Sequence, residues 1–334
     1  MAKTRIGILF GGLSAEKEIS LKSGLQVTHY LPEKYEKIPL FMDSNAQIWH
    51  LSNELLTSES TQQVEQNLTN NATHIPYEKL PEHIDIAFPT FHGRYGEDGC
   101  VQGLLELLKL PYVGSGVRAS AVAMNKNTSK ILYRDAKLPV AKDLIINRTE
   151  GVDINTLTER LGLPLVLKPV CEGSSVGISI VKEKNLLKEA IEKAFEYDHQ
   201  VLVEEFLKGT EITCAVFGNE HPIGLPIIEI VTKNEFFDLE AKYDPQLTDE
   251  ICPARINETL TKQAQDYAIR AHLALGCRTY SRTDMIIRDN KLYLLETNTL
   301  PGMTAASLLP KAAKTHGWDF STFLDKTIQI SLPQ

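Results

Sequence analysis

The chain has 334 residues, of which 43% are hydrophobic, and a formal net charge of −8. A chain of this length can bury a large core, and we expect two or three domains. The acidic balance argues against general nucleic-acid binding, which needs a basic face, although locally concentrated lysines can still hold an anionic ligand.

No apolar run approaches the length of a membrane span, and the opening MAKTRIGILF has no signal-peptide pattern. The five cysteines are scattered without a Cys-x-x-Cys pair. An odd number at this spacing fits neither a disulfide framework nor a zinc site. We therefore expect reduced thiols in a cytoplasmic protein that binds neither a membrane nor nucleic acid.

Residues 1–118 predict an α/β domain with a parallel sheet. A strand at 5–10 runs through a Gly-Gly turn into a helix at about 15–30. The polar stretch 52–73 is typical of a loop, and a second buried strand at 84–91 precedes a loop and another helix. Alternation of strands and helices favours parallel pairing.

Residues 119–207 predict a small central domain. A helix at 119–137 is followed by the strand DLIIN, a helix near 153–162 and the strand LPLVLKP. The glycine-rich EGSSVGI, a charged helix at 184–197 and the strand HQVLVEEF complete it.

Residues 208–334 predict a third domain. A strand-rich region at 211–231 leads into a polar loop at about 233–254. A long helix at 256–275, paired strands at 282–288 and 291–297, and terminal helices follow.

The segment RTDMIIRDNKLYLLETN groups acidic residues at the ends of two apolar runs. The runs are joined by Asp289-Asn290, a pair suited to a hairpin turn. Because side chains two apart share a face of a strand, Glu296 and Asn298 should point together towards Asp284. Two carboxylates and an amide oxygen suit Mg²⁺, and a capped turn with surface carboxylates is the alternative.

Three other features favour ordinary structure when each is taken alone. Lys168 precedes a glycine-serine turn that can cradle phosphate or form a simple hairpin loop. VLVEEFLKGTEIT is either a linker between domains that lodges a planar base or a plain strand-turn-strand. Near the N-terminus, Ser14 can cap a helix that carries Glu16 in its first turn, and His92 lies beside acidic residues.

Taken together and in order, eight stretches resemble the D-alanine–D-alanine ligase family of the ATP-grasp superfamily. They lie within residues 11–310 and read GGLSAEKEIS, HGRYGEDGCVQG, GSGVRASAVAMNK, KPVCEGSSVGI, VEEFLKGTEIT, EAKY, RTD and LETNTLPGMTAASLLP. The resemblance implies a three-domain α/β (α+β) ATP-grasp fold with nucleotide bound between the central and C-terminal domains.

The resemblance also implies an activity. ATP would activate one D-alanine as D-alanyl phosphate, and a second D-alanine would attack it to give D-alanyl-D-alanine for peptidoglycan synthesis, and thus for cell-wall biogenesis and cell shape. A homodimer is implied as well. An acylphosphate would hydrolyse in bulk water, so a lid over the site is expected, and the polar loop 233–254 has the composition of one.

Residue roles follow from the same resemblance. ATP would be held by Lys126, Lys168, Glu204, the backbone near Phe206 and Leu207, Glu211 and Lys242. Within that set, Glu204 would take the adenine amino group and Glu211 the ribose hydroxyls. Two Mg²⁺ or Mn²⁺ ions would be bound by Asp284, Glu296 and Asn298.

The substrate residues are implied in the same way. Glu16 would take the ammonium of the first D-alanine, and Ser307 would hold the carboxylate of the second. Arg282 and the Gly302 backbone would stabilise the oxyanion. Ser174 and Tyr243 would make the hydrogen bonds that lock the lid. His92 would lie close to the substrates.

Four positions depart from the family pattern. Asn125 replaces an aspartate, Phe236 and Phe237 replace a tyrosine-rich lid opening, and Thr279 stands where glycine is common.

Two rival functions stay open. A D-alanine–D-lactate ligase shares the fold, but Tyr243 favours an amine acceptor. A catalytically silent nucleotide-binding protein has no use for the complete set of Asp284, Glu296, Asn298 and Arg282. A nicotinamide-dependent dehydrogenase is disfavoured because LFGGLSAE lacks Gly-x-Gly-x-x-Gly.

Overall fold

A computed structural model of the protein describes residues 2–173, 176–232 and 248–332. The N-terminal strands are β1 (Arg5–Gly11), β2 (Glu36–Met42), β3 (Ile48–Leu51), β4 (Ala72–Ile75) and β5 (Ile86–Pro89). The helices between and after them are α1 (Lys17–Tyr30), α2 (Thr61–Asn71), α3 (Leu80–His83) and α4 (Cys100–Leu107).

The five strands form one sheet in the order β4-β3-β2-β1-β5. β1 is parallel to both β2 and β5, whereas β3 pairs antiparallel with β2 and β4. Alternate β1 residues pack into different core clusters, Ile6 and Ile8 into one and Leu9 into another. An uninterrupted apolar strand is therefore explained by burial on both sheet faces.

The expectation of a loop at 52–73 is wrong. This stretch contains a 3₁₀ turn at Asn53–Thr57, helix α2 and the start of β4. Val64 and Leu68, four residues apart, are buried in the core cluster. A two-residue apolar stripe is enough to fix a helix against a sheet, although the composition around it is polar.

A second sheet holds the middle of the chain. Its strands are β6 (Asp143–Asn147), β7 (Leu165–Pro169), β8 (Ser179–Val181) and β9 (Gln200–Glu205), in the order β6-β9-β7-β8. Helices α7 (Ile154–Leu161) and α8 (Leu187–Phe195) belong to the same segment. One sheet face packs into a core through Leu165, Leu167 and Val203. The opposite face carries the polar residues described below.

The helix expected at 119–137 is two helices. α5 (Val117–Met124) ends and α6 (Lys126–Asp135) begins at Asn125, whose side chain accepts a hydrogen bond of 2.9 Å from the Thr128 N–H. Asparagine caps a helix about as well as aspartate, so this departure from the family pattern leaves the capping function in place.

The third sheet has six strands, in the order β13-β12-β10-β14-β15 with β11 paired to β10. Its strands are β10 (Thr210–Phe217), β11 (Ile223–Gly224), β12 (Ile228–Thr232), β13 (Thr248–Ile251), β14 (Tyr280–Arg288) and β15 (Lys291–Asn298). The helices among the described residues of this part are α9 (Glu258–Leu275), α10 (Leu308–Thr315) and α11 (Phe320–Gln329). Tyr133 of α6 and Leu138 share the core between α9 and this sheet. The domain boundaries near 118 and 207 stay predictions.

The hairpin predicted between β14 and β15 is present. Asp289 and Asn290 both have positive φ, 51° and 56°, as a tight two-residue turn requires. Next to the turn the pairing is regular up to Met285, which faces Leu294. A bulge then shifts the register, and Asp284 faces Glu296 in place of Leu295. The bulge brings Glu296 onto the face of Asp284, because regular pairing would put it on the other one.

Thr279 has φ of +64°, a conformation that β-branched residues rarely adopt. This explains why glycine is common there in the family pattern. Its N–H donates to Asn219 Oδ1 at 2.8 Å, and its hydroxyl accepts from the Gly114 N–H at 3.3 Å. These contacts offset strain of about 1–3 kcal/mol.

No helix in the described ranges is both long and apolar enough to cross a membrane.

Candidate active site

A cavity of about 540 Å³ lies where the N-terminal loops, the glycine-rich segment and the end of β15 meet. It brings together eight of the residues predicted from the sequence, namely Glu16, His92, Lys126, Arg282, Glu296, Asn298, Gly302 and Ser307. These residues come from positions almost 300 apart in the chain, and the fold brings them to one cavity.

Asp284 lies behind the cavity wall and is tightly held. Arg282 donates two hydrogen bonds to its carboxylate, from Nε to Oδ1 at 3.0 Å and from Nη2 to Oδ2 at 2.8 Å. Thr213 Oγ1 donates to Oδ1 at 2.5 Å, and Asn298 Nδ2 lies 3.4 Å from Oδ2. Burial alone acts to lower the pKa of Arg282, but Asp284 outweighs it and raises that pKa. The guanidinium is therefore permanently charged.

The donor set at this end of the hairpin fits a divalent metal. Asp284 and Glu296 are register partners, and Asn298 follows two residues after Glu296 on the same face. Hard oxygen ligands of this kind suit Mg²⁺ or Mn²⁺. A metal bound to Asp284 would replace part of the charge compensation that Arg282 now supplies.

Glu204 lies on the polar face of the central sheet and is paired with two lysines. Lys130 Nζ donates to its Oε2 at 2.5 Å, and Lys168 forms an ion pair with its Oε1. Burial alone raises the pKa of Glu204, but the charges of Lys168 and Lys130 outweigh it and bring the pKa to about 2. Burial alone lowers the pKa of Lys168, but the charge of Glu204 outweighs it and raises that pKa above its usual value. Both groups are ionised at neutral pH.

The segment after β9 runs from the central sheet to the third sheet. The Phe206 N–H donates to the Pro164 carbonyl at 3.1 Å, so it is engaged within the protein, and Leu207 is buried. Glu211 is the second residue of β10 and adds negative charge near Lys168.

Ser307 stands at the N-cap of α10, beside Gly302. A Cβ on Gly302 would lie 2.8 Å from Ser307 Oγ, so a larger residue at 302 would force the serine hydroxyl to move. Thr304 holds the serine hydroxyl, with its N–H at 3.2 Å and its Oγ1 at 2.8 Å. The opening of a helix suits a carboxylate, because its N–H groups and dipole face an anion.

His92 and Glu16 lie on the N-terminal side of the cavity. Ser23 Oγ is 3.2 Å from His92 Nε2, and Glu97 Oε1 is 3.8 Å from Nδ1. Ser14 does not cap α1 as expected, since the helix begins at Lys17 and has no side-chain cap. Its hydroxyl donates to the His92 carbonyl at 2.6 Å and accepts from the Glu16 N–H at 3.1 Å. Ser14 therefore joins the two loops that carry these residues.

Lys126 opens α6 and donates to the carbonyl of Glu172 at the start of the glycine-rich segment. Five positions with expected roles or departures, Ser174, Phe236, Phe237, Lys242 and Tyr243, lie outside the described residues.

Three residues at the site were not predicted, Lys130, Asp143 and Thr213. A sequence signal existed for Lys130. It follows Lys126 by four residues and thus shares its helix face, and Tyr133 on the same side is fully buried.

Comparison with known proteins identifies the family. Models described as the N-terminus and the C-terminus of D-ala D-ala ligase match residues 5–115 and 132–329. The chain belongs to the D-alanine–D-alanine ligase family.

Relatives in this family match along nearly the whole chain. The D-alanine–D-alanine ligase of Syntrophobacter fumaroxidans is 47% identical, over 99% of this chain and 98% of its own length. The D-alanine–D-alanine ligase of Trichlorobacter lovleyi is 44% identical, over 98% of this chain and 94% of its own length.

Solved structures agree on the fold. The VanG D-Ala:D-Ser ligase from Enterococcus faecalis has a TM-score of 0.88 and 33% identity, covering 99% of this chain and 100% of its own. The Bacillus anthracis D-alanine–D-alanine ligase complexed with ATP has a TM-score of 0.79 and 36% identity, covering 99% and 97%. The ATP-grasp architecture expected from the sequence is confirmed, and the protein is a ligase of this family.

Proposed function

We propose that the protein joins two D-alanine molecules in an ATP-dependent, ADP-forming reaction that passes through D-alanyl phosphate. The observation that carries the proposal is the shared cavity. Glu16 from the first loop, Arg282 and Glu296 from the hairpin end, and Ser307 at the opening of α10 all face it. The family relationship supplies the substrate class.

Activation of the first D-alanine needs charge neutralisation more than covalent help. A carboxylate is a poor acylating agent, and phosphoryl transfer from ATP overcomes this. Lys126, Lys168 and Lys242 would bind the phosphates. Glu204 would accept the adenine amino group, and Glu211 would bind the ribose.

Metal ions fit the hairpin end. Asp284, Glu296 and Asn298 would hold two Mg²⁺ or Mn²⁺ ions, which would neutralise the charge of the ATP phosphates when bound. Loss of turnover with a chelator and its return with either ion would support this part. Unchanged turnover in excess chelator would contradict it.

The two D-alanines would both bind in the cavity, each held by different lining residues. Glu16 would pair with the ammonium of the first, with His92 nearby. Ser307 and the helix opening behind it would hold the carboxylate of the second. Arg282 and the Gly302 backbone would stabilise the oxyanion, while Ser174 and Tyr243 would hold the lid closed over an intermediate that water destroys.

The direct test is ADP release with ATP, Mg²⁺ and D-alanine, with the product identified by mass. We expect release that depends on D-alanine and a product of D-alanyl-D-alanine mass. ATP binding without D-alanine-dependent release would contradict the proposal and favour a silent nucleotide-binding protein.

Acceptor choice needs its own assay. D-alanine alone, D-alanine with D-lactate and D-alanine with D-serine should be compared between pH 6 and 8. We expect the dipeptide of D-alanine to dominate. A dominant D-lactate or D-serine product would place the protein with a different acceptor specificity on the same fold.

We further propose that the enzyme acts as a homodimer in the cytoplasm, where its product enters peptidoglycan synthesis. Light scattering of the purified protein tests the dimer, and a monomeric mass at assay concentration would contradict it.

A further inference from the structure

Lys130 is a buried lysine that none of the proposed catalytic steps uses. Its side chain is 2% exposed, and its Nζ lies 2.5 Å from Glu204 Oε2 and 3.0 Å from Asp143 Oδ1. The side chains of both carboxylates are 6% exposed. A lysine is rarely buried to this degree unless it is paired, and this one has two partners.

The register of the central sheet explains why a cation is needed there. Asp143 of β6 and Glu204 of β9 are direct cross-strand partners, so their side chains share one sheet face. Like charges in this arrangement repel each other and are destabilising. Lys130 reaches over from α6 and contacts both, while Arg134 pairs with Asp143 from the solvent side.

Lys168 occupies the other oxygen of Glu204. It lies on β7 with Leu202 as its register partner, two residues before Glu204. In the proposed function Lys168 binds ATP phosphates and Glu204 accepts the adenine amino group. Phosphate binding would draw Lys168 towards the nucleotide and weaken its ion pair with Glu204.

A buried carboxylate that loses its only cation is left with a large desolvation cost. Lys130 removes this problem, because it keeps Glu204 paired on Oε2 whether or not Lys168 has moved. One carboxylate oxygen has room for more than one donor, so Oε1 can accept the amino group.

We propose that Lys130 is a positioning residue for nucleotide, the permanent counter-ion that holds Glu204 in place and frees Lys168 to bind ATP phosphates. This inference rests on the proposed function. Lys130 acts through Glu204 and does not touch the substrate. Its position on α6, which packs against the third sheet, also ties the two walls of the nucleotide cleft together.

The test compares the wild-type enzyme with Lys130→Met, which keeps the length of the side chain and removes its charge. We expect the KM for ATP to rise at least about tenfold, since one partner of a buried charge pair is lost. The KM for D-alanine should stay within about twofold. The preference for ATP over inosine triphosphate, which lacks the amino group, should fall about tenfold.

Two controls make this result specific. Lys188→Met removes an equal charge from an exposed position on α8 and should leave all three quantities unchanged. Lys130→Arg keeps the charge and should restore most of the ATP preference. A folded Lys130→Met enzyme with unchanged KM for ATP and unchanged purine preference overturns the proposal.

A double variant covers the case in which Lys130→Met does not fold. Lys130→Met/Glu204→Gln removes the uncompensated charge together with the lysine. Its preference for ATP over inosine triphosphate should equal that of Glu204→Gln alone. A lower preference in the double variant would overturn the proposal that Lys130 acts through Glu204.

Failure of the proposed function would show separately, as wild-type protein without D-alanine-dependent ADP release. In that case ATP binding by wild type and Lys130→Met, measured by calorimetry, still decides the role of Lys130. Weaker binding in the variant supports it and equal binding overturns it.

Discussion

The two faces of the β14–β15 hairpin carry polar residues of opposite kinds. Towards α6 and α9 the hairpin presents hydroxyls, and Thr297 Oγ1 lies 2.9 Å from Thr283 Oγ1 and accepts from Tyr133 Oη at 2.8 Å. Towards the cavity it presents Arg282 and Glu296. Neutral hydroxyls satisfy one another inside the protein, whereas the charged face opens onto space that a charged ligand can fill. One pair of strands thus carries hydroxyls bonded to one another on one side and charged groups that line the cavity on the other.

The largest effect should come from the charged face. Glu296→Ala removes a proposed metal ligand and is expected to lower kcat by about 100- to 1000-fold, because metal ions supply several kcal/mol of stabilisation in phosphoryl transfer. The melting temperature should change little, since the side chain lines a cavity. The kcat is measured as turnover at saturating ATP, Mg²⁺ and D-alanine, and the melting temperature is measured by calorimetry. Normal turnover would remove Glu296 from the metal site.

The hydroxyl face should respond to pH instead. His272 is fully buried, with Nδ1 2.7 Å from Ser281 Oγ, and burial lowers its pKa from 6.5 to about 4. Between these values the unfolded chain binds a proton that the folded protein does not, so stability falls as pH falls from 6.5 to 4. The total for this group is about 3 kcal/mol.

Urea unfolding of wild type and His272→Gln from pH 7 to 4 tests this contribution. The variant should be less stable at pH 7 but should lose less stability on acidification. Parallel pH curves would show that His272 does not hold a depressed pKa.

The smallest effect is expected from Thr297→Val, the neighbour of Glu296 on the opposite face. Tyr133 and Thr283 would each lose a hydrogen-bond partner, at a cost of about 1–3 kcal/mol. The kcat should stay within about twofold, because the hydroxyl that is lost bonds to Tyr133 and Thr283 and not to the proposed metal ligands. A loss of turnover comparable to that of Glu296→Ala would erase the distinction between the faces.

Much of the third sheet could be predicted because its signals are local. Asp289-Asn290 marks the hairpin, and alternation indicates which residues share a face next to the turn. The bulge at Leu295, which puts Glu296 on the face of Asp284, has no such local signal. The cavity itself could not be derived from such local signals. Its members come from separate loops, and only the resemblance of ordered motifs to a known family gathered them in advance.

The failures have physical causes as well. Helix α2 was missed because Val64 and Leu68 are a weak apolar signal in a polar stretch. Lys130 was missed because a lysine on a helix ordinarily lies in solvent, and its partners Asp143 and Glu204 come together only through strand pairing. Asn125, which splits one expected helix into two, reads equally well as an interior residue.

The bulge at Leu295 also bears on how this hairpin tolerates insertions and deletions. Pairing on the turn side, Met285 with Leu294, and on the cavity side, Asp284 with Glu296, is displaced by one residue, and Leu295 is the surplus. Loss of Leu295 alone would leave both sets of partners intact, whereas loss of Thr297 would carry Asn298 to the opposite face. The hairpin can thus lose Leu295 without a change of partners at its cavity end, but it cannot lose Thr297, two residues further on.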